Sequence, residues 1–147
     1  MEVNQRTMPK NSTMIYDGMV ILQQFGGVQL ATFGDLSSFV LKRITKNEAK
    51  NVYFCTDLYP PDSIKGYERA KRSQSGILRL HLQRRDQKIP KQWSKYLHSA
   101  ENKLDLVQFL LCDWCENIHT QVISNKNIYV TVSTKFFRLY VGESQVF

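Results

Sequence analysis

At 147 residues, 42% of them hydrophobic and 22% charged, the chain is large enough for one globular domain with its own core, and its composition excludes disorder. No apolar run approaches the roughly 20 residues of a membrane span, and residues 1–10 are polar, so neither a membrane segment nor a secretory leader is expected. Three cysteines (Cys55, Cys112, Cys115) suit a reduced, intracellular compartment, nucleus or cytoplasm.

In chain order, residues 1–11 are expected to be disordered. Residues 13–16 predict a short strand ending at Asp17-Gly18, where the glycine allows a tight turn into a helix over 19–25. Gly26-Gly27 stops that helix. Thr32-Phe-Gly-Asp35 has the form of a capping box and opens a helix with Phe33, Leu36, Phe39, Val40 and Ile44 on its apolar side. A strand over 52–56 follows. Strand, helix, strand at this spacing predicts a right-handed βαβ unit and a parallel sheet, with Asp17 and Asp57 at one edge of it.

Pro60-Pro61 then forces a turn, and Asp62 or Ser63 caps a basic helix reaching about Arg72. Residues 73–90 read as a mobile basic loop, although Leu78, Leu80 and Leu82 alternate with polar residues as a strand would. Pro90 opens a short helix through Leu97, and 102–117 is a longer one. Residues 128–132 and 136–141 predict a C-terminal β-hairpin turning at 133–135. The hairpin is expected at or beyond the sheet edge.

The charge is uneven. Ten Lys or Arg lie between Lys65 and Lys95 against two acids, Glu68 and Asp86, within a chain of net charge +7. Such a block attracts polyanions by counterion release, so nucleic acid is the expected partner. Lys65, Arg69, Lys71, Arg72, Arg84, Arg85, Lys88 and Lys91 are the candidate contacts, and Tyr67, Trp93 and Tyr96 would stack on bases if exposed. A solvated basic surface has the same composition.

The stretch from Val52 to Arg72 carries the sharpest signal. An apolar strand runs into Asp57, a Pro-Pro turn, and a cationic helix. An acid at a strand's carboxyl end with cations beyond it is one way to present a metal ion to a phosphodiester. A helix cap followed by a solvated basic face gives the same pattern.

Two pieces resemble the flap-endonuclease (5′-nuclease) branch of the PIN-like superfamily. Asp17 stands where the first strand of those enzymes ends in an aspartate. Asp57, Pro60-Pro61, Ile64-Lys65, Glu68 and Lys71-Arg72 follow their second strand-end motif with one residue inserted. The chain is also similar to a set of uncharacterised multi-copy animal proteins through Asp17-Gly-Met19, Asp57-Leu-Tyr59, Ser63-Ile-Lys-Gly-Tyr-Glu-Arg69 and the run from Asn102 to Trp114. The resemblance implies a single PIN-like (Rossmann-like) α/β domain over 1–147, a parallel sheet with flanking helices. It implies Asp17 and Asp57 as ligands of one Mg²⁺ or Mn²⁺, and Asp17, Asp57, Lys65 and Arg72 as the catalytic set of a nuclease. Leu58 replaces the family glycine, and no later carboxylate cluster follows. A truncated or decayed member, a partial or degenerate nuclease-like domain, is therefore expected; the alternatives are a non-catalytic nucleic-acid-binding module and an inert transposon-derived fragment.

Other signals carry less. Cys112, Cys115 and His119 fall at i, i+3 and i+7, so one helix would point all three the same way and leave zinc's tetrahedron open. They read as buried small hydrophobes beside Trp114. His81 and His98 have no triad partner identifiable from spacing.

Overall fold

The computed structural model describes residues 9, 11–27, 29–56, 78–123, 126–132, 134–140 and 143–146. The expected disorder of 1–11 falls almost wholly outside these residues, as do Asp57, the basic helix and the first part of the 73–90 loop.

The architecture is α/β. β1 (Thr13–Asp17) leads into α1 (Gly18–Gln24) and a 3₁₀ turn (Phe25–Gly27); α2 (Phe33–Thr45) and β2 (Asn51–Cys55) follow. After residue 78 come α3 (Trp93–His98), α4 (Ala100–Trp114), a 3₁₀ turn (Asn117–His119) and α5 (Thr120–Ile123), then β3 (Asn127–Val132), β4 (Lys135–Tyr140) and β5 (Glu143–Val146). The sheet has five strands in the order β1-β2-β3-β4-β5. β1, β2 and β3 are parallel, as the βαβ spacing predicts, and β4 and β5 continue antiparallel. The sheet is therefore mixed. The hairpin is not an appendage at its edge, because β3 pairs in register with β2 (Val52↔Ile128, Phe54↔Val130). β5 was not foreseen from sequence.

One face of the sheet is buried. Val52, Phe54, Ile128, Val130 and Leu139 point into the core, and Phe54 meets Trp114 of α4 edge-on at 5.3 Å between ring centroids. Each such side chain contributes about 1.5–3 kcal/mol by leaving water. The alternate positions are half-buried or exposed, with Ile15 71% exposed on edge strand β1. Tyr53, Tyr129 and Phe136 cluster on that second face: Tyr53 and Tyr129 are 4.7 Å apart, Tyr129 and Phe136 5.3 Å. Crossovers that advance steadily in one direction and keep one hand place their helices on a single face.

Gly18 matters for space rather than for conformational freedom. A Cβ there would come within 2.7 Å of the Phe54 ring and 3.1 Å of the Cys55 carbonyl oxygen, so only glycine lets α1 lie on β2. The capping box of α2 forms as predicted: Asp35 N–H donates to Thr32 Oγ1, and Thr32 N–H donates to Asp35 Oδ2, both at 3.2 Å. The other N-terminal donors of α2 are met from afar. Phe33 N–H donates to the Gln87 carbonyl and Gly34 N–H to the Arg85 carbonyl, each at 2.9 Å. Residues 78–92 thus cross the start of α2 as an irregular strap. The alternating leucines form no strand, because buried Asn102 takes the place of a strand neighbour: its Oδ1 accepts from Leu80 N–H and its Nδ2 donates to the Leu78 carbonyl.

Candidate functional site

The sequence points to two places: the carboxyl edge of the parallel strands, and the basic block. At the edge, β1 ends at Asp17 directly opposite Cys55 of β2. Asp17 is exposed and caps α1, its Oδ1 accepting from Val20 N–H at 3.1 Å. Burial pushes the Cys55 thiol above its ordinary range; a hydrogen bond with Thr131 opposes this, and the Asp17 charge adds to it. Thr56 closes the edge toward β3. Its N–H donates to Thr131 Oγ1 at 2.9 Å and its hydroxyl to the Thr131 carbonyl.

By ligand type Asp17 suits a hard divalent cation. Among the described residues no group of three His, Cys, Asp or Glu comes together as metal ligands. Asp57, Lys65, Arg69, Lys71 and Arg72 lie outside the described residues. Among the described strands the order contains no reversal, and β1 stands first in it, at the edge. The crevice between diverging crossovers, where open α/β sheets usually bind ligands, does not occur among the described strands.

The described part of the basic block divides. Arg85 reaches across α2 to the buried Asp113 of α4, an ion pair joined by the Ser37 hydroxyl and by His119 Nε2, 3.0 Å from Asp113 Oδ2. Burial pushes the Asp113 carboxyl up, but hydrogen bonds from Arg85, Ser37 and His119 outweigh it and hold the group below the ordinary carboxylate value. Gly34 makes room for this crossing, since a Cβ would come within 3.0 Å of Arg85. Arg84 pairs with Asp86 in solvent at 3.2 Å. Arg79 is held by Glu101 and Asp105 of α4, at 3.1 and 2.9 Å, and by Asn102 Oδ1 at 2.8 Å. Lys88 and Lys91 are exposed.

Two sequence expectations change. Trp93 and Tyr96 do not offer stacking surfaces: both are buried, with Trp93 Nε1 donating to the Leu22 carbonyl and both rings packed around Phe33. The apolar spacing that opens α3 is core, not interface. Cys112 is exposed and Cys115 half-buried, because the helix turns Leu111 and Trp114 inward instead. α4 ends at Trp114, so His119 sits on a separate 3₁₀ turn and faces Asp113 rather than the cysteines.

The feature that sequence reading missed is a cleft of about 900 Å³ where the end of α1 meets α3 and the start of α4, lined in part by Gln23, Lys91, Gln92, Lys95, His98 and Lys103. The lysines at 91 and 95 belong to the charge block, but nothing in the local pattern brings Gln23 and Lys103 to them.

No known protein family matches this chain, and neither a curated protein nor a solved structure does so. No helix among the described residues is long and apolar enough to cross a membrane.

Proposed function

We propose that this domain binds nucleic acid as a partial or degenerate relative of the metal-dependent PIN-like nucleases, acting at the carboxyl edge of its parallel strands. The observation behind this reading is the Asp17↔Cys55 register. It sets the exposed carboxylate of Asp17 beside the end of β2, and Asp57 is the residue that follows Thr56 in the chain. β1, which ends at Asp17, and β2, whose last residue Cys55 precedes Asp57 by two positions in the chain, are neighbouring parallel strands about 4.8 Å apart. A divalent ion held by them would polarise a phosphodiester oxygen and supply an activated water. Lys65 and Arg72 would neutralise charge on the phosphate, and the net +7 would draw the polyanion in.

A second reading, a binding module without catalysis, is favoured by two observations. Asp17 Oδ1 is engaged as a helix cap, and β1 is an edge strand with no crevice beside it among the described strands. The deciding experiment incubates labelled single-stranded and flap oligonucleotides with Mg²⁺ or Mn²⁺, comparing the native chain with Asp17→Asn and Asp57→Asn. Mn²⁺-dependent cleavage lost in both variants establishes the nuclease. Salt-sensitive binding without cleavage, unchanged in both variants, establishes the module. Absence of binding at low salt removes both readings.

A further inference from the structure

We infer that the cleft between α1, α3 and α4 holds consecutive phosphates of a nucleic-acid backbone, through Lys91, Lys95, His98 and Lys103 with the side-chain amides of Gln23 and Gln92. This rests on the nucleic-acid reading above and gives it a second, separate contact surface, away from the Asp17 edge. α1 begins beside Asp17 and ends at the cleft, and a seven-residue helix is about 10 Å long.

The argument begins with charge. The described residues lining the cleft include three lysines and a histidine, and none of them is an Asp or Glu. The nearest acids in sequence are turned elsewhere. Glu101 and Asp105 lie four residues apart on one side of α4, where both pair with Arg79, while Lys103 between them projects toward the opposite side. Arg79 of the strap thus holds both carboxylates on the side of α4 away from the cleft. A concave surface whose described side-chain charges have one sign concentrates counterions and favours a polyanion.

The chemistry also limits what is read. Lysine ammonium groups act as strongly hydrated point charges, which suits phosphate oxygens and carries no base information. Trp93, the aromatic side chain at the cleft, is buried and its indole N–H is bonded to Leu22. Among the described residues lining the cleft no exposed aromatic ring is available for stacking, and binding there should be indifferent to sequence. The volume suits a short run of backbone rather than a duplex groove.

Fluorescence anisotropy with labelled 12-mer oligodeoxynucleotides, homopolymeric and mixed, over a salt series tests this. The proteins are the native chain, Lys91→Ala/Lys95→Ala, and Lys42→Ala/Lys46→Ala, which removes equal charge from an exposed position of α2 and from its exposed C-cap. The cleft variant should bind at least about tenfold more weakly, and its log K against log salt slope should fall by about 2, while the α2 variant stays near native. All oligonucleotides should bind within about threefold of one another. Native-like binding by the cleft variant overturns the cleft and leaves the nucleic-acid reading standing. Equal losses in both variants also overturn it, by showing diffuse charge alone. No binding by the native chain at low salt overturns both. Displacement of the oligonucleotide by inorganic pyrophosphate at equal phosphate concentration would assign the cleft to free polyphosphates instead, and would overturn the backbone assignment.

Discussion

Arg79 and Arg85 belong to the same basic run as Lys91 and Lys95, yet the two pairs have opposite fates. Both arginines turn inward and fasten the irregular strap to α4, one through Glu101, Asn102 and Asp105, the other through Asp113. Both lysines are exposed and line a cleft. The difference follows from the side chains. A guanidinium presents a planar fork of five donors and is weakly hydrated, so it can be fixed against carboxylates at low desolvation cost. An ammonium is a compact, well-solvated charge that gains little from the same geometry. With the exception of solvent-exposed Arg84, the described part of the basic run thus builds its scaffold with arginine and leaves its solvated charge to lysine.

The strongest test of the anchoring half is Asp113→Ala, which leaves Arg85, Ser37 and His119 without their shared acceptor. Urea denaturation should show a loss of about 2–4 kcal/mol, below the full figure for breaking a buried pair because the Arg85 side chain is 39% exposed. The same group gives a pH signature. Its carboxyl is held below the ordinary value, so the stability it contributes is present above the unfolded value of about 3.9 and is lost as pH falls through the folded value. The gap in urea midpoint between native and Asp113→Asn should therefore narrow from pH 6 toward pH 2; a constant gap would show that packing, not charge, sets it.

Asn102→Ala comes next, at about 2–3 kcal/mol, since it strands the Leu78 and Tyr96 carbonyls and the Leu80 N–H. Asn102→Asp sharpens the point. It keeps the acceptor that faces Arg79 and Leu80 but sets a second oxygen against two carbonyls, and its thermal midpoint should fall with that of the alanine variant. Arg79→Lys should cost about 1 kcal/mol through loss of forked geometry alone. Smallest is Lys91→Ala/Lys95→Ala, which should leave stability within about 0.5 kcal/mol. A larger loss would mean that these lysines too are structural, and the contrast between the two pairs would fail.

Sequence made the local grammar legible. Thr32 to Asp35 announced a capping box, residues 13–56 a parallel βαβ unit, and the alternation after Ile128 two strands of a hairpin. The strap was not legible, because its bonds run from the side chains of Asn102 and Arg85 and from the backbone donors of α2 to residues far away in the chain, and periodicity carries no trace of such pairings. Trp93 and Tyr96 misled for a related reason. Interleaved cations suggested an exposed face, whereas a short helix buried its aromatic side among Phe25 and Phe33 and left the charges outside. Gly18 was marked for flexibility when its requirement is contact with Phe54. Of the candidate metal pair, only Asp17 lies among the described residues, at the strand end where the pattern put it.

The seam between β2 and β3 has a consequence for how the chain reaches this structure. β1 with β2, and β3 with β4 and β5, are pairings that the chain closes over short or moderate distances. β2 and β3 adjoin in space but are separated by everything from Thr56 to Lys126, so their union carries the largest loop-closure entropy in the sheet. Two halves, each with local contacts, should form early and dock late. Substitutions at the seam, such as Thr131→Ala, which removes the acceptor of Thr56 N–H, should then speed unfolding and leave the refolding rate nearly unchanged. The same residues that join the two halves of the sheet would set the lifetime of the folded state rather than the time needed to reach it.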